Sequence, residues 1–511
     1  MKLKRLVLSL VSICCCFAIT ACSGNNGKEN SNSGSSLSSD NGSISKVNLA
    51  YSFKDVLNPF TAKTKQNQEL SKLLFDPLIK LNDNFEAENF IASEINQNGR
   101  TLTIKLKSIS FTDGSAVTVD DVLYSLRQAI ADGSNYKSKL YNVSNFYAVD
   151  SKTLVIETNY ADKHFSSNLD FPIIKSGTAA LKNENNIAVA PIGCGRYTIH
   201  SNDGEYVLKS NESYYKGKIK LKTINLVNCP DEASLSHYMS IGKISMVYSD
   251  LSDSIIPKLA GSTVETASTS LVYVGVNSNY GPTSDVKLRL AVSFGLDRAT
   301  ISSNAYFDYA TPATSLYPSN LSDIGGLESI DSKQNKEQAI AYLNELGYND
   351  IDELSYFVND KGDRLKLRLL YNSENAAREA AAKQIVIQLK KCGIEVDTVE
   401  ADFSEYKSLL SSGSFDLYIG EVRLSNSLDI LPIFDKRDII YGIPYESAAH
   451  SAIKDYYNGD SDILAATSCF VSEMPFIPVC YRKGVVVASD TIAKKISPSV
   501  SDIYNNIQNV N

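Results

Sequence analysis

Residues 365–419 read LKLRLLYNSENAAREAAAKQIVIQLKKCGIEVDTVEADFSEYKSLLSSGSFDLYI. Leu365, Leu367 and Leu369 alternate with polar residues, the period of a half-buried strand. From Ala376 to Lys391 the period changes: Ala382, Ile385, Val386 and Leu389 fall on one helical face, and Gly393 stops the helix. Ile394, Val396 and Val399 then begin a second strand, which makes a β-α-β unit. A short helix over Phe403–Ser412, closed by Gly413, leads into the apolar strand Phe415–Ile419. Repeated β-α alternation in a chain of 511 residues predicts α/β lobes with a cleft between them. That length corresponds to about three domains of ~150 residues, or one large bilobed body.

The same reading extends toward the N-terminus. Lys46–Phe53 alternates as a strand, and Gln68–Leu78 carries Leu70, Leu73, Leu74 and Leu78 at helical spacing. Thr101–Leu106 alternates again, Phe111-Thr112-Asp113-Gly114 reads as a turn, and Thr118-Val119-Asp120-Asp121 reads as a capping box. The helix that follows uses Val122, Leu126 and Ile130 and stops by Gly133. Farther on, Asp285 is a good N-cap for a helix with apolar Val286, Leu290, Val292 and Phe294, and Asp297 can cap the next segment. Apolar residues form 43% and charged residues 21% of the chain, which excludes wholesale disorder. A net charge of −8 and no basic tract argue against a nucleic-acid partner. Trp is absent, so any aromatic ligand wall is built from Tyr and Phe.

The first residues carry addressing information. Lys2, Lys4 and Arg5 precede an apolar run from Leu6 to Ile19, too short for a membrane span of roughly 20 residues. Ile19-Thr20-Ala21-Cys22 resembles a bacterial lipobox, which implies cleavage before Cys22 and acylation of that cysteine. Ser23–Ser45 is almost entirely Ser, Asn, Gly and Asp, which buries nothing to offset its ordering entropy and reads as a flexible tether. The expectation is a body tied by lipid to the outer face of a bacterial cell membrane.

Enzyme and metal motifs are thin. There is no GxSxG elbow, HExxH, P-loop or post-strand GxGxxG. His164, His200, His237 and His450 are scattered, so neither a metal nor another cofactor is expected. Cys194, Cys229, Cys392, Cys469 and Cys480 show no zinc spacing and read mostly as buried thiols, with room for one disulfide.

Several elements in order resemble the family 5 extracellular solute-binding proteins, receptors of peptide and nickel ABC importers. Leu57-Asn58-Pro59-Phe60 and Leu74-Phe75-Asp76-Pro77-Leu78 fit the opening elements. Phe111–Gly114 with Val117–Val122 matches the family's FsDGxplTaeDV pattern. Pro191–Tyr197 resembles PvGTGPY, with Cys194 and Arg196 as departures, and Asn211–Gly217 fits NpdYwxG. Asp285–Arg298 keeps Asp285, Arg289, Ala291, Asp297 and Arg298 of the signature dxrvRqAlxxaiDR, and Leu343–Tyr348 fits LLxeAGY. These residues have a scaffold reading as caps and packed corners, and Arg289 is expected on a carboxylate or carbonyl rather than on ligand.

The resemblance implies a bilobed periplasmic-binding-protein-like fold of type II with an extra inserted subdomain. Lobe I would comprise 46–79, 185–268 and 476–511, lobe Ib 80–184, and lobe II 269–475. The strand after Phe415-Asp416-Leu417 would line the cleft through Ile419, Gly420, Glu421, Val422, Arg423, Ser425 and Asn426. At the positions where peptide receptors of the family carry a Gly-Trp pair and an ammonium-binding aspartate, this chain has Glu421-Val422 and Ser425, leaving Glu421 or Asp429 as substitutes. Lys63, Lys65 and Arg423 would suit a carboxylate-bearing ligand, and Tyr481 resembles the family's aromatic position near the hinge. The implied activity is capture of oligopeptides by lobe closure and delivery to an ABC permease, without catalysis, by a monomer. A non-peptide solute such as a metal chelate or an anion, a surface sensor or adhesion role, and an extracellular hydrolase are the alternatives.

Overall fold

Thr118 starts the helix Val119–Ile130 as a reciprocal capping box: its Oγ1 accepts from the Asp121 amide, and Asp121 accepts from the Thr118 amide at 2.9 Å. Asp285 and Asp297 likewise cap Val286–Phe294 and Arg298–Tyr306. The computed structural model describes residues 46–202, 205–250, 261–321, 327, 329–434, 441–444 and 447–510. The signal segment, the tether and Cys22 lie outside these described residues.

The β-α-β unit forms as read: Lys366–Asn372 and Glu395–Ala401 pair in parallel, joined by the helix Ala376–Lys391. Gly393 follows that helix at φ +75°, and a Cβ there would lie 2.4 Å from the Phe357 ring. Two expectations shift. The early helix spans Lys65–Leu74 rather than running to Leu78, because Asp76 precedes Pro77 and the proline disfavours helical backbone before it. In Val286–Phe294 the buried face is Leu288, Ala291 and Val292, whereas Val286, Leu290 and Phe294 are half-buried.

Three larger sheets organise the chain. A seven-stranded sheet runs in the order Ser262–Thr266, Gly484–Ala488, Met246–Ser249, Val47–Tyr51, Thr223–Asn228, Glu205–Ser210, Tyr197–Asn202. A six-stranded sheet runs Ala310–Pro312, Phe476–Arg482, Ser270–Val276, Leu417–Arg423, Lys366–Asn372, Glu395–Ala401. A four-stranded antiparallel sheet, Ala92–Asn98, Thr101–Leu106, Thr153–Thr158 and Val143–Ala148, comes from the chain between Val47–Tyr51 and Tyr197–Asn202 of the seven-stranded sheet. The chain passes between the two large sheets through Ala267–Thr269 and through Lys483, side by side.

The motif residues serve as framework. Arg289 donates to the carbonyls of Glu473, Thr283 and Ser284. Arg298, fully buried, donates to those of Pro478, Ser293 and Asp331. Gly193 and Gly195 press against the end of the helix Lys65–Leu74; a Cβ on Gly195 would sit 2.4 Å from the Leu74 carbonyl carbon. All five cysteines of the body are free, four of them buried.

Arg196 anchors the C-terminal tail. It reaches Asp502 at 2.7 Å and the Tyr504 carbonyl at 3.1 Å, and Lys80 meets the same Asp502 oxygen at 2.9 Å. Burial alone would push the Asp502 carboxyl up, but Arg196 and Lys80 outweigh it and hold it at about 2. Its stabilisation is therefore complete above the ordinary value of 3.8 and is lost as the pH falls toward 2. Asp502→Asn is expected to cost about 3–5 kcal/mol at neutral pH by leaving Arg196 buried without its partner. Urea unfolding from pH 7 to 2 would measure it, and the variant would also lose part of the wild-type decline below pH 4. Equal unfolding midpoints at pH 7 would show that the triad does not hold the tail.

Candidate functional site

The strand Leu417–Arg423 ends where Leu424 donates its amide to the Thr269 carbonyl at 3.0 Å. The backbone thus turns out of the six-stranded sheet beside the crossover, and Arg423–Asn426 face a cavity of about 220 Å³. Its other walls come from distant chain: Gln68–Phe75 on the early helix, Asn135–Lys139 and Asp170 beside the four-stranded sheet, and Ala267–Thr269 at the crossover. A second cavity of about 310 Å³ shares Glu69 and Tyr248 with the first, and a third of about 280 Å³ shares Ala267 and Ser268. The first and third therefore form a polar trough along the crossover, whereas the second lies on the seven-stranded side among Ala50, Leu235, Met246 and Val247.

Hydroxyl and amide groups dominate the central cavity, among them Ser71, Ser138, Ser268, Thr269, Ser425 and Asn426. Four cations line it, Lys72, Lys80, Lys139 and Arg423, against two carboxylates, Glu69 and Asp170. Lys72 pairs with Glu69 at 2.7 Å and Lys139 with Asp170 at 3.0 Å, while Lys80 is turned to Asp502. Arg423 lies 3.5 Å from Asp250, which also holds Lys65 at 2.7 Å. Each of the four cations thus has a carboxylate partner, and Arg423, the most exposed and most loosely held, is the one open to a ligand anion.

The residues singled out in the sequence are distributed unevenly around this trough. Arg423, Ser425 and Asn426 line the central cavity. Ile419 and Gly420 stay within the sheet: the Ile419 carbonyl accepts from Tyr406 Oη at 2.7 Å, and a Cβ on Gly420 would strike the Tyr273 ring at 2.4 Å. Val422 is paired with Leu271. Glu421 is occupied by two guanidinium groups, Arg482 at 2.8 Å and Arg378 at 3.3 Å. Asp429 accepts from Tyr160 Oη at 2.7 Å and from Tyr141 Oη. Lys63 is exposed outside all three cavities, and Lys65 lines the second one. Tyr481 lines the third cavity with a buried ring, its hydroxyl donating to the Leu316 carbonyl at 2.6 Å while burial pushes its pKa up.

Lys72, Lys139, Asp170 and Tyr248 line the central cavity without having been singled out. No local motif marks them. Ser268 and Thr269 do carry a signal, as small polar residues placed just before the mostly apolar, fully buried strand Ser270–Val276.

Across from Ser425 and Asn426, the segment beside the four-stranded sheet meets the six-stranded side directly. Asn168 and Ser427 exchange two hydrogen bonds of 3.1 Å each, and Asn426 Nδ2 donates to the Ser167 carbonyl at 3.3 Å. The Lys163 amide donates to the Tyr457 carbonyl at 2.9 Å, and His164 Nε2 lies 2.9 Å from Tyr456 Oη. The trough is therefore bounded on one side by a bonded seam.

Known proteins resemble this chain in sequence and in fold. The chain is 22% identical over 498 residues to the oligopeptide-binding protein OppA of Bacillus subtilis strain 168, covering 88% of this chain and 89% of the relative. It is 26% identical over 484 residues to the oligopeptide-binding protein AppA of the same strain, covering 87% and 86%. Among solved structures, the nickel ABC transporter protein of Bacillus halodurans superposes with a TM-score of 0.73 at 19% identity, over 90% of this chain and 99% of that one, a likeness of fold. Residues 86–429 match the model for bacterial extracellular solute-binding proteins, family 5 middle, and the chain belongs to that family.

Proposed function

We propose that the protein is a lipid-anchored extracellular receptor that captures oligopeptides by closure of two lobes and hands them to an ABC permease. Family 5 members are solute-binding proteins of ABC importers, not enzymes, and curated relatives over most of this chain are oligopeptide-binding proteins. The single observation that carries the reading is the central cavity at the Ala267–Thr269 crossover, walled by the early helix on one side and by Arg423–Asn426 on the other and adjoined by the third cavity at Ala267 and Ser268. In this reading lobe I is 46–79, 185–268 and 476–511, lobe Ib is 80–184 and lobe II is 269–475. The two crossovers act as hinge, and a ligand touching both sides biases the closed state.

The charges refine which end of the ligand is held. Glu421 is committed to Arg378 and Arg482, and Asp429 to Tyr141 and Tyr160, so neither offers an ammonium a free carboxylate. Ser425 supplies a hydroxyl where a carboxylate would make the stronger, charge-assisted bond. Lys72 and Lys139 are committed to Glu69 and Asp170, so it is Arg423, exposed and 3.5 Å from Asp250, that favours a carboxylate on the ligand. The same arginine supports a second reading, an anionic non-peptide solute held in the central cavity.

A peptide pool is expected to raise the melting temperature of the body, since a ligand at 100 times its Kd adds about 2.7 kcal/mol to native-state stability. Among peptides so identified, blocking the amino end by acetylation should change affinity less than threefold, as a rough bound, whereas amidating the carboxyl end should weaken it by about ten- to a hundredfold, the worth of a charge-assisted bond. The reverse ranking in calorimetry would place the anchor on the ammonium. Stabilisation by small carboxylates and none by peptides would favour the second reading.

The anchor has its own test. Cys22→Ala should abolish incorporation of labelled fatty acid and shift the protein from the membrane fraction. Unchanged labelling would assign the lipid elsewhere or remove it from the proposal.

A further inference from the structure

Arg423 faces the central cavity, but a carboxylate of the protein already stands beside it. Asp250 follows the strand Met246–Ser249 of the seven-stranded sheet and is shared between two cations. Its Oδ1 lies 2.7 Å from Lys65 Nζ, and its Oδ2 lies 3.5 Å from Arg423 Nη1. Lys65 opens the early helix and lines the second cavity, whereas Arg423 ends the strand Leu417–Arg423 of the six-stranded sheet and lines the central one. The Asp250 carbonyl also accepts from Arg482 Nη2 at 3.3 Å, and Arg482 holds Glu421 at 2.8 Å. One residue thus ties the seven-stranded side to two strands of the six-stranded side.

The two cation contacts differ in kind. Lys65 makes a hydrogen-bonded ion pair, whereas the 3.5 Å to Arg423 exceeds the roughly 2.7–3.2 Å of an N–H···O bond. The other cations of the cavity sit closer to their carboxylates, Lys72 at 2.7 Å, Lys80 at 2.9 Å and Lys139 at 3.0 Å. The Arg423 side chain is 59% exposed and that of Asp250 11%. Tyr248 lies beside the pair but offers no competing anion: burial pushes its pKa up, Glu69 and Asp250 add to that, and Arg423 only partly offsets it.

We propose that Asp250 is a resident carboxylate that occupies Arg423 in the unliganded protein and is displaced from it by the carboxylate of an incoming solute, with Lys65 as the counter-ion that keeps Asp250 neutralised during the exchange. This rests on the reading above that Arg423 receives a solute carboxylate, and it adds the residues that set how tightly.

The exchange is asymmetric by construction. Taking Arg423 from a mostly buried carboxylate would carry a large penalty if it left that charge unpaired. Lys65 removes the penalty, because Oδ1 keeps its 2.7 Å contact. What is given up is a long, solvent-exposed ion pair, the weak class. What is gained is a guanidinium fork whose parallel N–H groups match a carboxylate bidentately. The bond from Arg482 fixes the Asp250 backbone, so the movement falls to the Arg423 side chain. Asp250 and Lys65 act on the solute through Arg423, as positioning residues, and tune selectivity for a carboxylate over its neutral amide.

Acetate against acetamide, at fixed ionic strength, probes this site in the full chain by saturation-transfer NMR. Asp250→Asn, isosteric and neutral, should bind acetate about two- to fivefold more tightly than the wild type, the worth of an exposed ion pair, with acetamide unchanged. Lys65→Gln, which leaves Asp250 to Arg423, should weaken acetate by a similar factor. Both differences should vanish on an Arg423→Gln background, whereas a charge acting on the cavity as a whole would survive it. Unchanged or weaker acetate binding in Asp250→Asn, or a gain that persists without Arg423, would overturn the resident carboxylate. If Asp250→Asn does not fold, acetate affinity in Lys65→Gln equal to or above that of the wild type would overturn it instead. In either case, loss of acetate binding in Arg423→Gln alone would leave Arg423 standing as the solute anchor. Equal acetate binding in wild type and Arg423→Gln, none included, would remove both.

Discussion

The cleft exists because the chain crosses between two sheets at adjacent places, through Ala267–Thr269 and through Lys483. Each crossing joins strands that are already locked: Ser262–Thr266 to Gly484–Ala488 on one side, Ser270–Val276 to Phe476–Arg482 on the other. The ladders fix both ends of each short link, so the links are the places where backbone rotation breaks no ladder hydrogen bond. Their polar groups face the space that the two sheets leave between them. Ser268 and Thr269 contribute to the central cavity, Thr266 and Arg482 to the third, and the Arg482 guanidinium ties Glu421 of the neighbouring strand to the same corner.

That geometry explains why the charges of the strand Leu417–Arg423 are not interchangeable. Glu421 is in a position to face a ligand only if Arg378 and Arg482 release it, and Arg482 is almost completely buried. Removing a carboxylate from a buried guanidinium costs about 3–5 kcal/mol, more than a single exposed ammonium returns. Arg423, two residues on, is half exposed and held by Asp250 at 3.5 Å, so it can turn to a ligand at little cost. Adjacent residues on one strand therefore divide into framework and contact by the depth of their partners.

Much of the fold was legible because its signals are local. Thr118 with Asp121, Asp285, Asp297 and Gly393 mark element ends through their own backbone geometry, and the alternation of Leu367 and Leu369 needs no knowledge of the partner strand. The helix Lys65–Leu74 was overextended because Leu78 continues the apolar period past Pro77, and periodicity alone does not register the steric rule. The face of Val286–Phe294 was misread because burial there is set by the helix Lys336–Glu345 and by Arg289, whose aliphatic stem packs inward while its guanidinium caps carbonyls.

The cavity lining was less legible for a different reason: its chemistry is assembled between segments far apart in the chain. Lys65 and Arg423 looked like two free cations, yet both meet Asp250, which is 185 residues from Lys65. Lys139 and Asp170 come from loops with no motif. A carboxylate's role is fixed by what lies within a few ångströms in three dimensions, and one-dimensional spacing carries that information only inside a helix, a strand or a turn. The same argument bears on Ser425. A hydroxyl in place of a charge loses one electrostatic contact, but its Oγ lies 3.0 Å from Ser427 Oγ and accepts the Asp429 amide at 3.3 Å, so it braces the turn behind the central cavity. An aspartate there would set a second carboxylate in the same turn as Asp429, whose own is held by the Tyr141 and Tyr160 hydroxyls.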